Sequence, residues 1–139
     1  VTLATGIPFS KQPSREQPSP FRWKVAATRL PREILYAAIN NRVTRMIEEG
    51  LAEEVRALLH SGVPAEAQSM AGLGYKEMIP YLRGERSLEE AADAIRLGTR
   101  HYAKRQITFL KREKCIRYFD LPSASAEEEL GAFFEDEDR

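Results

Sequence analysis

Leu35, Ile39, Val43 and Met46 recur at the spacing of one helical face, flanked by Tyr36 and Ile47. Pro31 suits a first helical turn and Gly50 suits a stop, so the pattern predicts a helix over Pro31–Glu49. Val55, Leu58 and Leu59 predict a second helix over Ala52–His60, stopped at Gly62. Val63–Ser69 carries no period and reads as a loop. The second half of Met70–Glu85 reads as a short helix ending near Gly84. Ser87 followed by Glu90 is a capping box, and it opens a long helix from Leu88 to about Arg112. Two segments follow a different pattern. Phe21–Arg29 begins with alternation and ends in small apolar residues, and Cys115–Asp120 alternates with aromatic and branched residues. Both read as strands. Ser125–Phe134 predicts a last helix before an acidic tail. At the other end, Val1–Gly6 looks like the close of an earlier element. Lys11–Pro20, with three prolines, cannot continue a helix and should form a loop.

Strands joined by a long helical connection favour parallel pairing. Two strands alone do not make a stable sheet. The expected fold is therefore α/β and mostly helical, with two strands belonging to a parallel sheet that further chain would complete. The 139 residues suffice for one domain with a core, and an apolar content of 42% is ordinary for a globular chain. The single cysteine, Cys115, excludes an internal disulfide framework and fits a reducing cytoplasm. No apolar run approaches a membrane span, and no signal peptide is visible. The chain begins at Val1, which suggests a fragment or a processed chain.

Charge changes the picture locally. The chain as a whole is neutral, with 21 basic and 21 acidic residues. Yet Arg96–Arg117 holds eight Lys or Arg against one acid, Glu113. Such a concentration attracts polyanions, above all nucleic-acid backbone. On a helix, Arg100, His101, Lys104, Arg105, Thr108, Lys111 and Arg112 fall on one half, and Ile95, Tyr102, Ala103, Phe109 and Leu110 on the other. Thr99 and Gln106 project into the apolar half, where a buried amide needs hydrogen-bond partners. Local rules broken in this way often mark function.

Several chemistries are set aside. No G-x-x-x-x-G-K-[ST] occurs, and Gly72 and Gly74 lack a third glycine, since Glu77 stands in its place. His60 and His101 are far apart and have no ligand cluster around them. Cys115 lies in a strand pattern and reads as an inert buried thiol. Two features remain beside the basic helix. Ala71–Lys76, A-G-L-G-Y-K, offers close backbone approach, a ring and a cation, although the same residues taken alone favour a helix-entry turn with a packed tyrosine. Arg42, at the edge of its helix's apolar stripe, is either a snorkelling surface arginine or a guanidinium suited to phosphate.

Five ordered blocks carry a resemblance. They are G-L-A-E-E-V-R-A-L-L from Gly50, G-L-G-Y-K-E-M from Gly72, Y-L-R-G-E-R-S-L-E-E-A from Tyr81, T-R-H-Y-A-K-R-Q-I-T-F from Thr99 and I-R-Y-F-D from Ile116. Together with T-L-A-T-G-I-P-F-S from Thr2, they resemble the C-terminal half of bacterial tRNA dimethylallyltransferases, also called tRNA isopentenyltransferases. The resemblance implies transfer of a dimethylallyl group from dimethylallyl diphosphate to the exocyclic amino nitrogen of the adenine 3′ of the anticodon. It implies a fold like P-loop nucleotide kinases, with Mg²⁺ on the diphosphate. The phosphate loop, the catalytic aspartate and most of the Mg²⁺ site would belong to the N-terminal half, so these residues alone would be inactive and would bind no metal.

By the same resemblance, residues 1–20 end a preceding helix and form a Pro-rich loop. Residues 21–122 form the C-terminal half of the transferase domain, and 123–139 a terminal helix and acidic tail. The tRNA anticodon arm would be bound by Ala71, Gly72, Leu73, Gly74, Tyr75 and Lys76, and by Lys104, Arg105, Gln106, Ile107, Thr108, Phe109, Leu110 and Lys111. Thr99 and Arg100 would be further contacts to the RNA or its target base. Arg42 would stabilise the leaving diphosphate. A cytoplasmic enzyme without a membrane partner, monomeric when full length, is implied. Two departures stand out: Phe109 replaces the family's usual Trp, and Ala38 replaces its usual Arg. The residues alone leave three other readings open. These are an adenylate isopentenyltransferase acting on a free nucleotide, a helical nucleic-acid-binding module without activity, and a helical protein–protein module with a solvated basic face.

Overall fold

The computed structural model describes residues 6, 7, 11, 21, 23–113 and 115–136. In chain order it has β1 (Val25–Arg29), α1 (Arg32–Glu48), α2 (Leu51–His60), a 3₁₀ turn (Gln68–Ala71), α3 (Tyr75–Leu82), α4 (Leu88–Leu110), β2 (Ile116–Asp120) and α5 (Ala126–Glu135). The expected helix ends hold to within two residues or so. The first strand is shorter than Phe21–Arg29, and the sequence expectation for Val1–Thr5 and for most of Lys11–Pro20 falls outside the described residues. The two strands pair in parallel, with Val25 opposite Ile116 and Arg29 opposite Asp120. Arg29 closes that end with two bonds to the Asp120 carboxylate, at 2.5 and 2.7 Å.

Amphipathic faces explain the rest. Val43 of α1, Val55 of α2, Met78 of α3 and Ala91 and Ile95 of α4 are almost wholly buried, and Met70 of the 3₁₀ turn joins them. This core lies among α1, α2, α3 and the first half of α4. Glycines with left-handed backbone stop each turn: Gly50 follows α1, Gly62 follows α2 and Gly84 follows α3. Arg96 ties α4 to α1 through Thr44 Oγ1 while bonding Glu89 and Asp93 at 2.7 Å each. On the far side, α5 covers β2, with the Phe119 and Phe133 rings 5.8 Å apart.

The capping box of α4 is fully formed. Glu90 N–H donates to Ser87 Oγ at 3.2 Å, and Ser87 N–H donates back to the Glu90 carboxylate at 2.7 Å. The Ser87 hydroxyl also donates to that carboxylate, at 2.9 Å; the backbone bond first and this hydroxyl bond second hold the Glu90 carboxyl below the usual glutamate range. A carboxylate favoured in this way stabilises the fold at neutral pH, and the contribution disappears as pH falls through its lowered pKa. Ser87→Ala is expected to cost about 1 kcal/mol by losing the cap. It should flatten only part of the acid-side loss, because the stronger backbone bond survives. Chemical denaturation at neutral and acidic pH tests both statements.

Candidate nucleic-acid interface

The long helix α4 has two halves with different surroundings. Its first half packs into the core. Its second half contributes no residue to the buried core, and large apolar side chains on it stay exposed. Tyr102 is 50% exposed, Ile107 44% and Phe109 63%. The sequence pattern placed Tyr102 and Phe109 on the apolar half of the helix, yet both are at least half exposed. Gln106, expected to be buried, is exposed too. It lines a groove of about 600 Å³ with Thr28, Leu35, Ala103, Ile107 and Leu110.

The basic run divides along the same line. Arg96 is neutralised by Glu89 and Asp93. Arg100 reaches across to Asn40 Oδ1 at 2.8 Å and stands 5.1 Å from the Tyr36 ring centre, so its side chain joins α4 to α1. Thr99 donates its hydroxyl to the Ile95 carbonyl at 2.7 Å, a bond within the helix. Arg117 lies over the rings of Phe119 and Phe133. Lys104, Arg105, Lys111 and Arg112 have no carboxylate partner among the described residues, whereas Lys114 lies outside them. Lys104, Arg105 and Arg112 share a groove with Thr108 and Phe109. The usable cations are thus concentrated at the C-terminal end of α4 and its cap.

Ala71–Lys76 links the 3₁₀ turn to α3. Gly74 has φ +105°, a backbone closed to most L residues. Its N–H donates to the Glu77 carboxylate at 2.8 Å. The Tyr75 hydroxyl donates a very short bond to Glu54 of α2. That bond, aided by burial, pushes the Tyr75 hydroxyl pKa up. Leu73 settles against Gly98 of α4, where an added Cβ would meet Leu73 Cδ1 at 2.6 Å. Gly98, Tyr102, Arg105 and Phe109 follow one another at helical spacings of four, three and four. The loop therefore abuts the head of the stripe on which Arg105 and Phe109 stand, and Arg105 lies over the Tyr102 ring. This brings the two predicted RNA segments onto one continuous helix surface.

The structure does not bring in Arg42. It is exposed on α1 and is not among the residues that line the four grooves described along α4. Cys115 is exposed, in a turn just before β2 begins at Ile116, so it is not the buried strand thiol that the alternation implied. No group of three or more His, Cys, Asp or Glu among the described residues could hold a metal ion. No helix among the described residues is long and apolar enough to cross a membrane.

Sequence reading missed Gly98, Arg32 and Tyr36. A glycine inside a strong helical period carries its own signal, because it costs about 1 kcal/mol relative to alanine and needs a packing reason. Gly98→Ala is expected to displace Leu73 rather than unfold α4. The better helix propensity and the contact with a flexible methyl should nearly cancel, leaving stability within about 1 kcal/mol of the parent. Amide resonances of Ala71–Lys76 should shift. Unchanged loop resonances would mean that Leu73 turns aside and the contact sets nothing.

The fold and this surface define a mostly helical α/β chain with two parallel strands and a cationic helix end. The IPP transferase family model matches residues 1–113, and the chain belongs to that family. It is 43% identical over 124 residues to the tRNA dimethylallyltransferase of Geobacter metallireducens, covering 88% of this chain and 40% of that protein. It is 46% identical over 122 residues to the tRNA dimethylallyltransferase of Pelotomaculum thermopropionicum, covering 87% and 39%. The crystal structure of the full-length tRNA isopentenylpyrophosphate transferase of Bacillus halodurans superposes with a TM-score of 0.75 at 35% identity, over 84% of this chain and 39% of that one. The chain thus spans about 40% of the length of these relatives, corresponding to their C-terminal half.

Proposed function

We propose that this chain is the RNA-gripping part of a tRNA dimethylallyltransferase. In the reaction, the exocyclic amino nitrogen of the adenine 3′ of the anticodon bonds to the allylic carbon of dimethylallyl diphosphate. The carbon–oxygen bond to diphosphate breaks, and the nitrogen loses a proton to a base that the family keeps in its N-terminal half. The residues described here would do the holding. Lys104, Arg105, Lys111 and Arg112 meet backbone phosphates, which fix position without reading sequence. Gly72–Lys76 approaches the RNA from the head of the same stripe, where Tyr75 offers a ring. Gln106 and Thr99 remain candidates for contacts to the extruded base, whose unstacking must be offset by new contacts. Arg42 retains its diphosphate role on resemblance alone. The sheet supports the reading too, because each strand has only the other as a partner among the described residues. Further transferase chain would extend that sheet.

The observation that carries the proposal is the Leu73–Gly98 contact, which sets the loop at the head of the stripe that bears Arg105, with the unpaired Lys104, Lys111 and Arg112 further round the same helix end. The test is turnover by the whole protein. With dimethylallyl diphosphate and an anticodon stem-loop bearing adenine 3′ of the anticodon, mass spectrometry of the digested RNA should find one five-carbon group on that adenine. With free AMP in place of the RNA, no product should form. These residues alone should bind the stem-loop and release no diphosphate. Modification of free AMP in preference to the stem-loop would overturn the proposal.

A further inference from the structure

The start of α1 carries a cation outside every segment assigned so far. Arg32, the first residue of α1, lines a groove of about 340 Å³ together with Lys104 and Lys111 from the end of α4, around Tyr36, Leu35 and Ile107. We propose that this groove is a second anion site of the RNA interface, in which one backbone phosphate sits between Arg32, Lys104 and Lys111. The proposal rests on the basic face of α4 being the RNA-binding face.

Three observations support it. First, other guanidinium groups near this surface are paired with acids: Arg29 with Asp120 across the strands, and Arg96 with Glu89 and Asp93 of its own helix. Arg32, Lys104 and Lys111 have no such partner among the described residues, although they converge from two helices. Second, positive charge is gathered there against local preference. Arg32 lies at the N-terminal end of a 17-residue helix, where the dipole is already positive and acids are preferred. Its guanidinium carbon is 5.0 Å from the Tyr36 ring centre, and that of Arg100 is 5.1 Å from the same ring. The hydrogen bond of Arg100 goes to a neutral amide oxygen, that of Asn40. Two guanidinium groups held on one ring without a carboxylate raise the local potential, and a bound anion relieves it. Third, Lys104 and Thr108 also line the neighbouring groove with Arg105, Phe109 and Arg112. Lys104 therefore stands on a ridge between two cationic basins, so one RNA strand crossing the ridge can place a phosphate in each. The Thr108 hydroxyl donates to the Lys104 carbonyl at 2.8 Å, which leaves the binding to the cations.

The experiment uses the whole protein and measures anticodon stem-loop affinity across a range of KCl. The variants are Arg32→Gln, Arg32→Lys and Lys104→Gln. Arg32→Gln should weaken binding roughly five- to tenfold at low salt and reduce the log–log salt slope by about 0.7 to 0.9, the share of one phosphate contact. Arg32→Lys should keep most of both. Arg32 is exposed, so circular dichroism should match the parent. If Lys104→Gln weakens binding but Arg32→Gln changes neither affinity nor slope, the groove holds no phosphate and the proposal is overturned, while the basic-face reading stands. If neither variant changes binding, the basic-face reading fails first and takes the groove with it. If Arg32→Gln spares RNA binding and raises only the KM for dimethylallyl diphosphate, the anion is the small substrate, and the RNA assignment is wrong.

Discussion

Changing Lys104, Arg105, Lys111 and Arg112 together to glutamine should weaken anticodon stem-loop binding about a thousandfold at low salt. Each cation is exposed and lacks an acidic partner among the described residues, so each is available to phosphate at little cost within the protein. An exposed ion pair with phosphate contributes about 1 kcal/mol, the upper end for solvent-exposed pairs. Four give roughly 4 kcal/mol, and every 1.4 kcal/mol is tenfold in affinity. The salt slope should fall by about 3, since each contact releases most of one counterion. The fold should be untouched, because these side chains cover none of the buried core. Unchanged thermal unfolding with lost affinity is the expected pair of results. An unchanged salt slope would show a face that is merely solvated.

That prediction uses fewer charges than the sequence displays, and the difference shows where sequence reading stops. Period and punctuation were enough for the helices, because Gly50, Gly62 and Gly84 take left-handed backbone that few other residues tolerate. The Ser87–Glu90 box marked the start of α4 for a similarly local reason. Parallel pairing followed from the length of the connection. What the sequence hid is non-local. A helical wheel puts Glu89 and Asp93 on the same face as Arg96, but it cannot say that Arg96 also reaches Thr44 of α1, or that Arg100 crosses to Asn40. Nor can it say that α4 outruns the core, leaving Tyr102, Phe109 and Gln106 in the open. Arg32 was lost in a helix start, although a cation in a first turn runs against the dipole and could have been flagged. Arg42 shows the reverse case, since the resemblance names it and it lines none of the four grooves described along α4.

Core packing behind the loop supplies the second large effect. Met78→Ala is expected to destabilise the fold by about 3 kcal/mol, within the 2–5 kcal/mol usual for emptying a buried methionine site. Met78 is fully buried in α3, and α3 packs against both α2 and α4. Its neighbours in the core include Val43, Val55 and Ile95, which come from three different helices. These helices cannot all move inward to fill one gap, so a cavity should persist. For a chain of this size the midpoint should fall by roughly 10 °C. Met78→Leu keeps the volume and should cost under about 1.5 kcal/mol. The contrast matters for the proposed function because α3 begins at Tyr75, so the loop proposed to meet the RNA stands on the same helix. Well below its unfolding midpoint, Met78→Ala should still bind the stem-loop with nearly parental affinity, since Leu73 against Gly98 and Tyr75 on Glu54 remain. Equal melting of Met78→Ala and Met78→Leu would mean that the site collapses without a cavity, and the rigid three-helix support of the loop would have to be abandoned.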